Sequence, residues 1–381
     1  MQHTNYPNKS SWNPTSRNGI EPCGVVSASN YGGPFMRAAV WNPEDGLTAV
    51  YDTPNTYAYL DVSTRKQGGW IAAVPANTAG LVLLPFNKES GFGDKTIIGT
   101  NYGQFVAAKF SSDGDILIAI TSSKLYVWRF NKSGLQQEIT ETVPPTRLVS
   151  LQGLDVSYSL QTFIITGIGT AMLELRSFNN LSDEGRLNDF NMGGPGFTKL
   201  SGVFSNGKRY WAYSPNNVSR CYFGQIDNRS VLSWDGYIET NTNRNYPSFC
   251  PMFVEELDSL TLGQATDSRS NDFANGGVDY FMYQLPSGGT PAGGALIGPS
   301  YDGNTLTSLG NAWSATTTNG GDGGGVIATL RPPGWDVAIS GLNYGWNNQR
   351  AIDVRKTFDM GFSTALTAWA AGVGVTELDW F

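Results

Sequence analysis

The chain has 381 residues, 40% hydrophobic, 12% aromatic and only 15% charged, with 46 Gly and a net charge of −7. Few charges beside many aromatics and glycines exclude a disordered chain and long solvent-facing helices, and predict short strands joined by many turns. Lys and Arg are scattered on an acidic chain, so the counterion release that drives nucleic-acid binding has no source and direct nucleic-acid binding is not expected.

At the start of the chain, MQHTNYPNKSSWNPTSRNG carries no apolar signal-peptide core, which predicts a protein that folds where it is made. Residues 1–34 read as an arm that orders against a partner, with Trp12 as its anchor, and GVVSAS at 24–29 can lend a closing strand. No linker or composition shift divides residues 35–381, which therefore read as one domain.

The window 36–63 shows strand, turn, strand, break, strand, and the region between Asp45 and Asp113 fits either one long repeat or two short ones. The clearest unit is GQFVAAKFSSDGDILIAITSSKLYVWRF at 103–130. FVAAKF, ILIAITSS and KLYVWRF alternate like strands, Asp113 and Gly114 supply a hairpin turn, and NKSGLQQEITETV adds a fourth strand. Four antiparallel strands in about 45 residues are the size of one propeller blade.

Similar patterns start at 154, 200 and 296. The turn markers Asp113, Ser159, Asn206, Asp258, Asp302 and Asn348 recur every ~45 to 50 residues. The prediction is an all-β propeller of about seven four-stranded blades, six at fewest and eight at most. Strands from both termini share one blade and so remove the open edges of the ring. The uncharged segment 360–376 is too short and too rich in Gly and Thr for a membrane span and reads as paired strands.

The stretch 105–130 resembles a WD-repeat blade, with two aliphatic strands around an Asp-Gly turn and a third strand ending in V-W-x-F. The chain lacks that family's Gly-His pair and has Arg129 where an Asp would follow Trp128. Its single histidine, His3, rules out the family's buried His and Asp network. The segment SNGKRYWAYSPNNVSRCYFGQIDN, with low Lys and abundant Asn, Gly, Thr and Tyr throughout, resembles structural proteins of tailed bacteriophages. That resemblance implies a non-enzymatic virion component, such as a tail, nozzle, hub, fibre or decoration protein. It would be made in the host cytoplasm and present in many copies among other virion proteins.

Candidate chemistry is sparse. Cys23, Cys221 and Cys250 are odd in number and lack metal-site spacing, so they read as small buried residues. Histidine-dependent hydrolysis is excluded by His3 standing alone in the terminal arm, and no phosphate-cradling GxxxxGK[ST] loop is present. No cofactor, catalytic residue or metal ligand is assigned. DGD at 113–115 and DSRSNDFANGGVD at 267–279 are dense in oxygen ligands but lack the order of a calcium loop.

The alternative to an assembly protein is a carbohydrate-binding or glycan-cleaving propeller. It would use paired carboxylates from Asp113, Asp155, Asp227, Asp235, Glu239 and Asp336 with loop aromatics. Asp113 and Asp155 are accounted for by turn and strand-start roles, and Glu255, Glu256 and Asp258 by a solvated hairpin tip. Trp335, Tyr344 and Trp346, set among Pro and Gly, are the candidate interaction aromatics beside Trp12.

Overall fold

The structure is a computed structural model that describes residues 24–31, 36–42, 46–53, 57–157, 161–168 and 171–188. From 201 to 381 it describes the strands named below and Phe381; side chains are described within 25–182 and at 379–381. Trp12 lies outside the described residues.

The described strands form seven antiparallel sheets. The first begins with β1 (Gly24–Tyr31), β2 (Met36–Asn42) and β3 (Gly46–Asp52). The second has β4 (Tyr59–Thr64), β5 (Gly69–Pro75) and β6 (Leu81–Asn87), with an outer strand split into β7 (Gly91–Phe92) and β8 (Thr96–Ile98), both paired to β6. The third holds β9 (Phe105–Phe110), β10 (Ile116–Thr121), β11 (Leu125–Asn131) and β12 (Gly134–Glu138). The fourth holds β13 (Val149–Ser157), β14 (Thr162–Ile168), β15 (Ala171–Ser177) and β16 (Asp183–Asn188).

The fifth sheet comprises β17 (Ser201–Ser205), β18 (Lys208–Tyr213), β19 (Arg220–Ile226) and β20 (Leu232–Glu239). In the sixth are β21 (Phe249–Val254), β22 (Ser259–Ala265), β23 (Gly277–Gln284) and β24 (Asn311–Thr316). The seventh has β25 (Gly325–Leu330), β26 (Ile339–Asn343), β27 (Arg350–Asp353) and β28 (Trp369–Ala370). The last strand, β29 (Val373–Trp380), returns to pair with β1 and becomes the innermost strand of the first sheet.

The innermost strands touch in sequence: β29 meets β4, β4 meets β9, and the chain of neighbours runs through β13, β17, β21 and β25 back to β29. This is a closed seven-bladed propeller, with the first blade built from both ends of the sequence. Of the six turn markers, the first four fall between the first and second strands of their blades. Asp302 instead falls between β23 and β24, and Asn348 between β26 and β27, because the sixth and seventh blades carry long connections that break the spacing. The window 36–63 straddles two blades, and the break before its third strand is the blade boundary.

Alternation explains why the blades stack. In β10, Leu117 and Ala119 pack with Ala72, Val74 and Leu83 of the second blade, while Ile116, Ile118 and Ile120 pack with Leu154, Phe163 and Ile165 of the fourth. Both faces of the strand are buried, so ILIAIT reads as an uninterrupted apolar run. Aromatics fill the wedge between the second and third blades: Phe110 meets Phe130 edge-on at 5.1 Å, and Trp70 meets Phe130 at 5.8 Å.

The Asp113–Gly114 turn is fixed from two sides. Asp113 Oδ1 accepts the Asp115 amide at 3.0 Å, and Gly114 sits at φ +70°. A Cβ on Gly114 would lie 2.7 Å from Arg65 Cγ, so the second blade's turn packs directly on the third's.

Two substitutions test this packing. Leu117→Ala, at a fully buried position, lowers unfolding free energy in urea by about 2–5 kcal/mol. Gly114→Ala is also destabilising, whereas Leu135→Ala at an exposed site changes stability by less than about 0.5 kcal/mol.

Candidate functional site

The two ends of the innermost strands differ in character. At their C-terminal ends the neighbouring strands are not hydrogen-bonded as one sheet, so their inner-edge amides need other partners. Side chains from the preceding blade provide them. Asp61 Oδ2 on β4 accepts the Ala108 amide of β9 at 2.9 Å, and Ser63 Oγ accepts the Phe110 amide at 3.0 Å. Asp379 Oδ2 on β29 accepts the Thr64 amide at 2.7 Å in the same manner.

The two aspartates are paired with buried lysines. Lys109 Nζ donates to Asp61 Oδ1 at 2.7 Å, with both side chains at most 7% exposed. Lys66 Nζ donates to Asp379 Oδ1 and, at 2.6 Å, to the Trp380 carbonyl, and lies 4.2 Å from the centre of the Trp380 ring. Burial pushes the Lys66 ammonium down to about 8; Asp379 pulls it back up by charge and hydrogen bond, and Lys109 adds a further downward push. Phe381 completes the closure by packing on Phe86, with ring centres 4.5 Å apart.

A short string marks this pattern in the sequence. LDVS occurs at 60–63 and again at 154–157, and LDW occurs at 378–380. In each, Asp Oδ1 accepts the amide of the following residue, at 3.0 Å for Asp61, 2.8 Å for Asp155 and 2.9 Å for Asp379. Sequence reasoning singled out Asp155 alone. Comparing the strings would have added Asp61 and Asp379, but their lysines have no local signal.

The N-terminal ends of the same strands are irregular. Leu60 in β4, Val106 in β9, Ile327 in β25 and Thr376 in β29 are each one residue in excess of the paired strand. In β13 three residues, 150–152, stand opposite the single Gly167. The other two innermost strands, β17 and β21, pair without a shift. Bulges re-aim side chains and concentrate at barrel rims and next to active sites, so this end of the central channel is the candidate ligand mouth.

Polar groups gather at this end. Tyr102, just before β9, stacks on Tyr126 with centres 4.3 Å apart and donates its hydroxyl to Glu138 Oε2 at 2.8 Å. That hydrogen bond holds the Tyr102 phenol above its ordinary range, and burial does the same for Tyr126. Arg147 and Ser150 are exposed at the start of β13, beside the turn at Ser122, whose carbonyl accepts the Leu151 amide at 2.8 Å.

The other sequence candidates do not converge. Asp113 binds Ser111 and its own turn, and Asp155 its own strand. Asp235 and Glu239 lie on β20 without described side chains. Asp227, Asp336, Glu255, Glu256, Asp258, Trp335, Tyr344 and Trp346 lie outside the described residues. Among the described residues no group of His, Cys, Asp and Glu is arranged to hold a metal ion, and no helix is long and apolar enough to cross a membrane.

No family model matches the chain, and no curated protein does. Its fold matches 1040 solved chains, too many to single out one activity. One is a candidate 6-phosphogluconolactonase from Bacteroides fragilis, with TM-score 0.60, 12% identity and coverage of 94% of this chain and 97% of that one. A second candidate 6-phosphogluconolactonase, from Bacteroides uniformis, gives TM-score 0.57 and 11% identity over 94% and 99%. A Lactobacillus plantarum protein gives 0.60 and 8% over 94% and 99%.

These likenesses overturn the tailed-phage reading and the expectation of a non-enzymatic virion component. The three align with 94% of this chain and 97–99% of their own length, and none of the three is described as a virion protein. The physical reason is that low charge with abundant Asn, Gly and Tyr reports short buried strands and tight turns, which any propeller needs, and not assembly into a particle. Likewise, a lone histidine excludes one kind of catalysis and not enzymes in general.

The closing seam gives a measurable result. Asp379→Ala leaves the Lys66 ammonium buried without its partner and lowers stability by about 3–5 kcal/mol. In the unaltered protein the folded state releases the Lys66 proton near pH 8, while the unfolded chain keeps it up to 10.5. The unfolded state therefore binds more protons in that window, and this residue makes stability rise from pH 8 to 10.5. Urea unfolding across that range shows the rise, and the Lys66→Met, Asp379→Asn double variant flattens it.

Proposed function

We propose that the chain is a propeller hydrolase that opens the cyclic ester of a sugar acid, with substrate entering at the bulged end of the channel. The observation that carries this reading is the end-to-end likeness to candidate 6-phosphogluconolactonases, which leaves no large part of either chain unmatched. The chemistry at the mouth supports it. Ester hydrolysis needs a base for the attacking water and donors for the oxyanion. On the same face of the propeller, Ser150 at the start of β13 offers an exposed hydroxyl donor, and Glu138, on the outermost strand of the third blade and hydrogen-bonded by Tyr102, offers an exposed carboxylate, without histidine.

The test is opening of 6-phosphogluconolactone and of unphosphorylated gluconolactone, followed by proton release and corrected for spontaneous hydrolysis. We expect a rate that scales with protein concentration and falls at least about tenfold in Glu138→Gln. No acceleration of either lactone rejects the reading. Shortening of a polysaccharide by the same sample would favour a glycan-cleaving propeller, for which the Tyr102–Tyr126 stack would serve as a sugar platform.

A further inference from the structure

At the seam of the second and third blades, three aromatic rings run from the core to the face that carries the channel mouth. Trp128, 2% exposed, lies nearly parallel to Tyr126, with ring centres 6.2 Å apart and 19° between the planes. Tyr126 in turn stacks on Tyr102 at 4.3 Å and 24°. Phe105 meets Tyr126 and Trp128 edge-on, at 5.5 and 6.0 Å. The inner rings belong to the core, and Tyr102 ends the run half-buried, with its accessible surface turned away from Tyr126.

Tyr102 is held more firmly than hydration of a phenol requires. It closes the single 3-10 turn Thr100–Tyr102, where its amide donates to the Gly99 carbonyl at 3.0 Å. Glycines at positive φ stand on both sides of that turn, Gly99 at +65° and Gly103 at +87°. A Cβ on Gly99 would lie 3.1 Å from the Tyr102 ring, so a side chain there would crowd the ring out of its stack. The turn is also tied to the second blade, because the Gly80 amide donates to the Gly103 carbonyl at 3.0 Å and Gln104 Nε2 donates to the Ala76 carbonyl. At the outer side, Glu138 Oε2 accepts the Tyr102 hydroxyl at 2.8 Å, and the exposed Asn101 side chain hydrogen-bonds the same phenol. The result is a fixed aromatic ring bordered by an exposed amide and an exposed carboxylate. Such a surface is ordered before any ligand arrives, which raises affinity for a small rigid molecule.

We propose that Tyr102, Glu138 and Asn101 form a saccharide-binding site, in which one pyranose ring lies on Tyr102 and its hydroxyls reach Glu138 and Asn101. A pyranose presents an apolar face of C–H bonds that packs on an aromatic ring. Its edge carries hydroxyls that donate to a carboxylate and both donate to and accept from an amide. The carboxylate repels an anionic ligand, so the bound unit is a neutral sugar. The site shares Glu138 with the lactonase reading but does not depend on it, since binding requires no bond to open.

Calorimetric titration and saturation-transfer NMR of the full chain with cellotetraose, maltotetraose and chitotetraose test the site. At least one of the three binds, and Tyr102→Ala weakens it at least about tenfold through loss of the ring contact. Tyr102→Phe keeps the stack and weakens binding by about two- to tenfold, and Glu138→Gln by about ten- to a hundredfold. Asn101→Ala disturbs no packed ring and weakens binding by about two- to tenfold, so the site stays testable if Tyr102→Ala melts below the parent. Binding of none of the three by the parent, or parental affinity in Tyr102→Phe, Glu138→Gln and Asn101→Ala alike, overturns the site. Lactone opening by a parent that binds no oligosaccharide keeps the hydrolase reading and rejects this one. Oligosaccharide binding without lactone opening does the reverse.

Discussion

The structure depends on how seven separate sheets become one ring. Innermost strands of neighbouring blades lie side by side without a continuous ladder, leaving backbone donors at a buried edge, where an unmade hydrogen bond costs about 1–3 kcal/mol. Asp61 and Ser63 take the Ala108 and Phe110 amides, and Asp379 takes the Thr64 amide. Each carboxylate then needs a cation in the same dry place, which Lys109 and Lys66 provide. The ion pairs follow from the architecture at these two seams, where the aspartate that seals the inner edge is matched by a buried lysine.

This sealing separates stability from function along the axis. At the two seams β29 to β4 and β4 to β9, the innermost strands are tied blade to blade by buried charge. At the N-terminal ends five strands bulge, and a surface segment leading into β13 is immobilised from beneath by Glu174 and Arg176. A site built on a rigid rim can hold strained geometry, because the ring at the other end supplies the stability that the bulges forgo.

The misreading of function has a similar physical origin. Low charge and abundant small polar residues describe the loops of a propeller whatever it does. The WD-like pattern at 105–130 describes a blade with both faces buried, a packing condition and not an activity. At 8–12% identity the matched structures share the fold with this chain, and the side chains at the mouth decide the chemistry.

What the sequence by itself determined was local: period-two burial, the Asp-Gly turn, blade-sized spacing through Asp258, and a closing strand drawn from both termini. The first three depend on residues close together in the chain, so pattern alone carries them; the closing strand follows from the need of a ring to leave no open edge. What only tertiary structure decided was which distant groups meet. Lys66 and Asp379 are 313 positions apart, and Arg176 reaches back 32 residues to Pro144. No spacing rule links such pairs, and even the repeated Leu-Asp strings do not reveal their partners. Ring closure brings Lys66 and Asp379 together, because it places the last strand beside β4 and removes the water that would otherwise have served both charges.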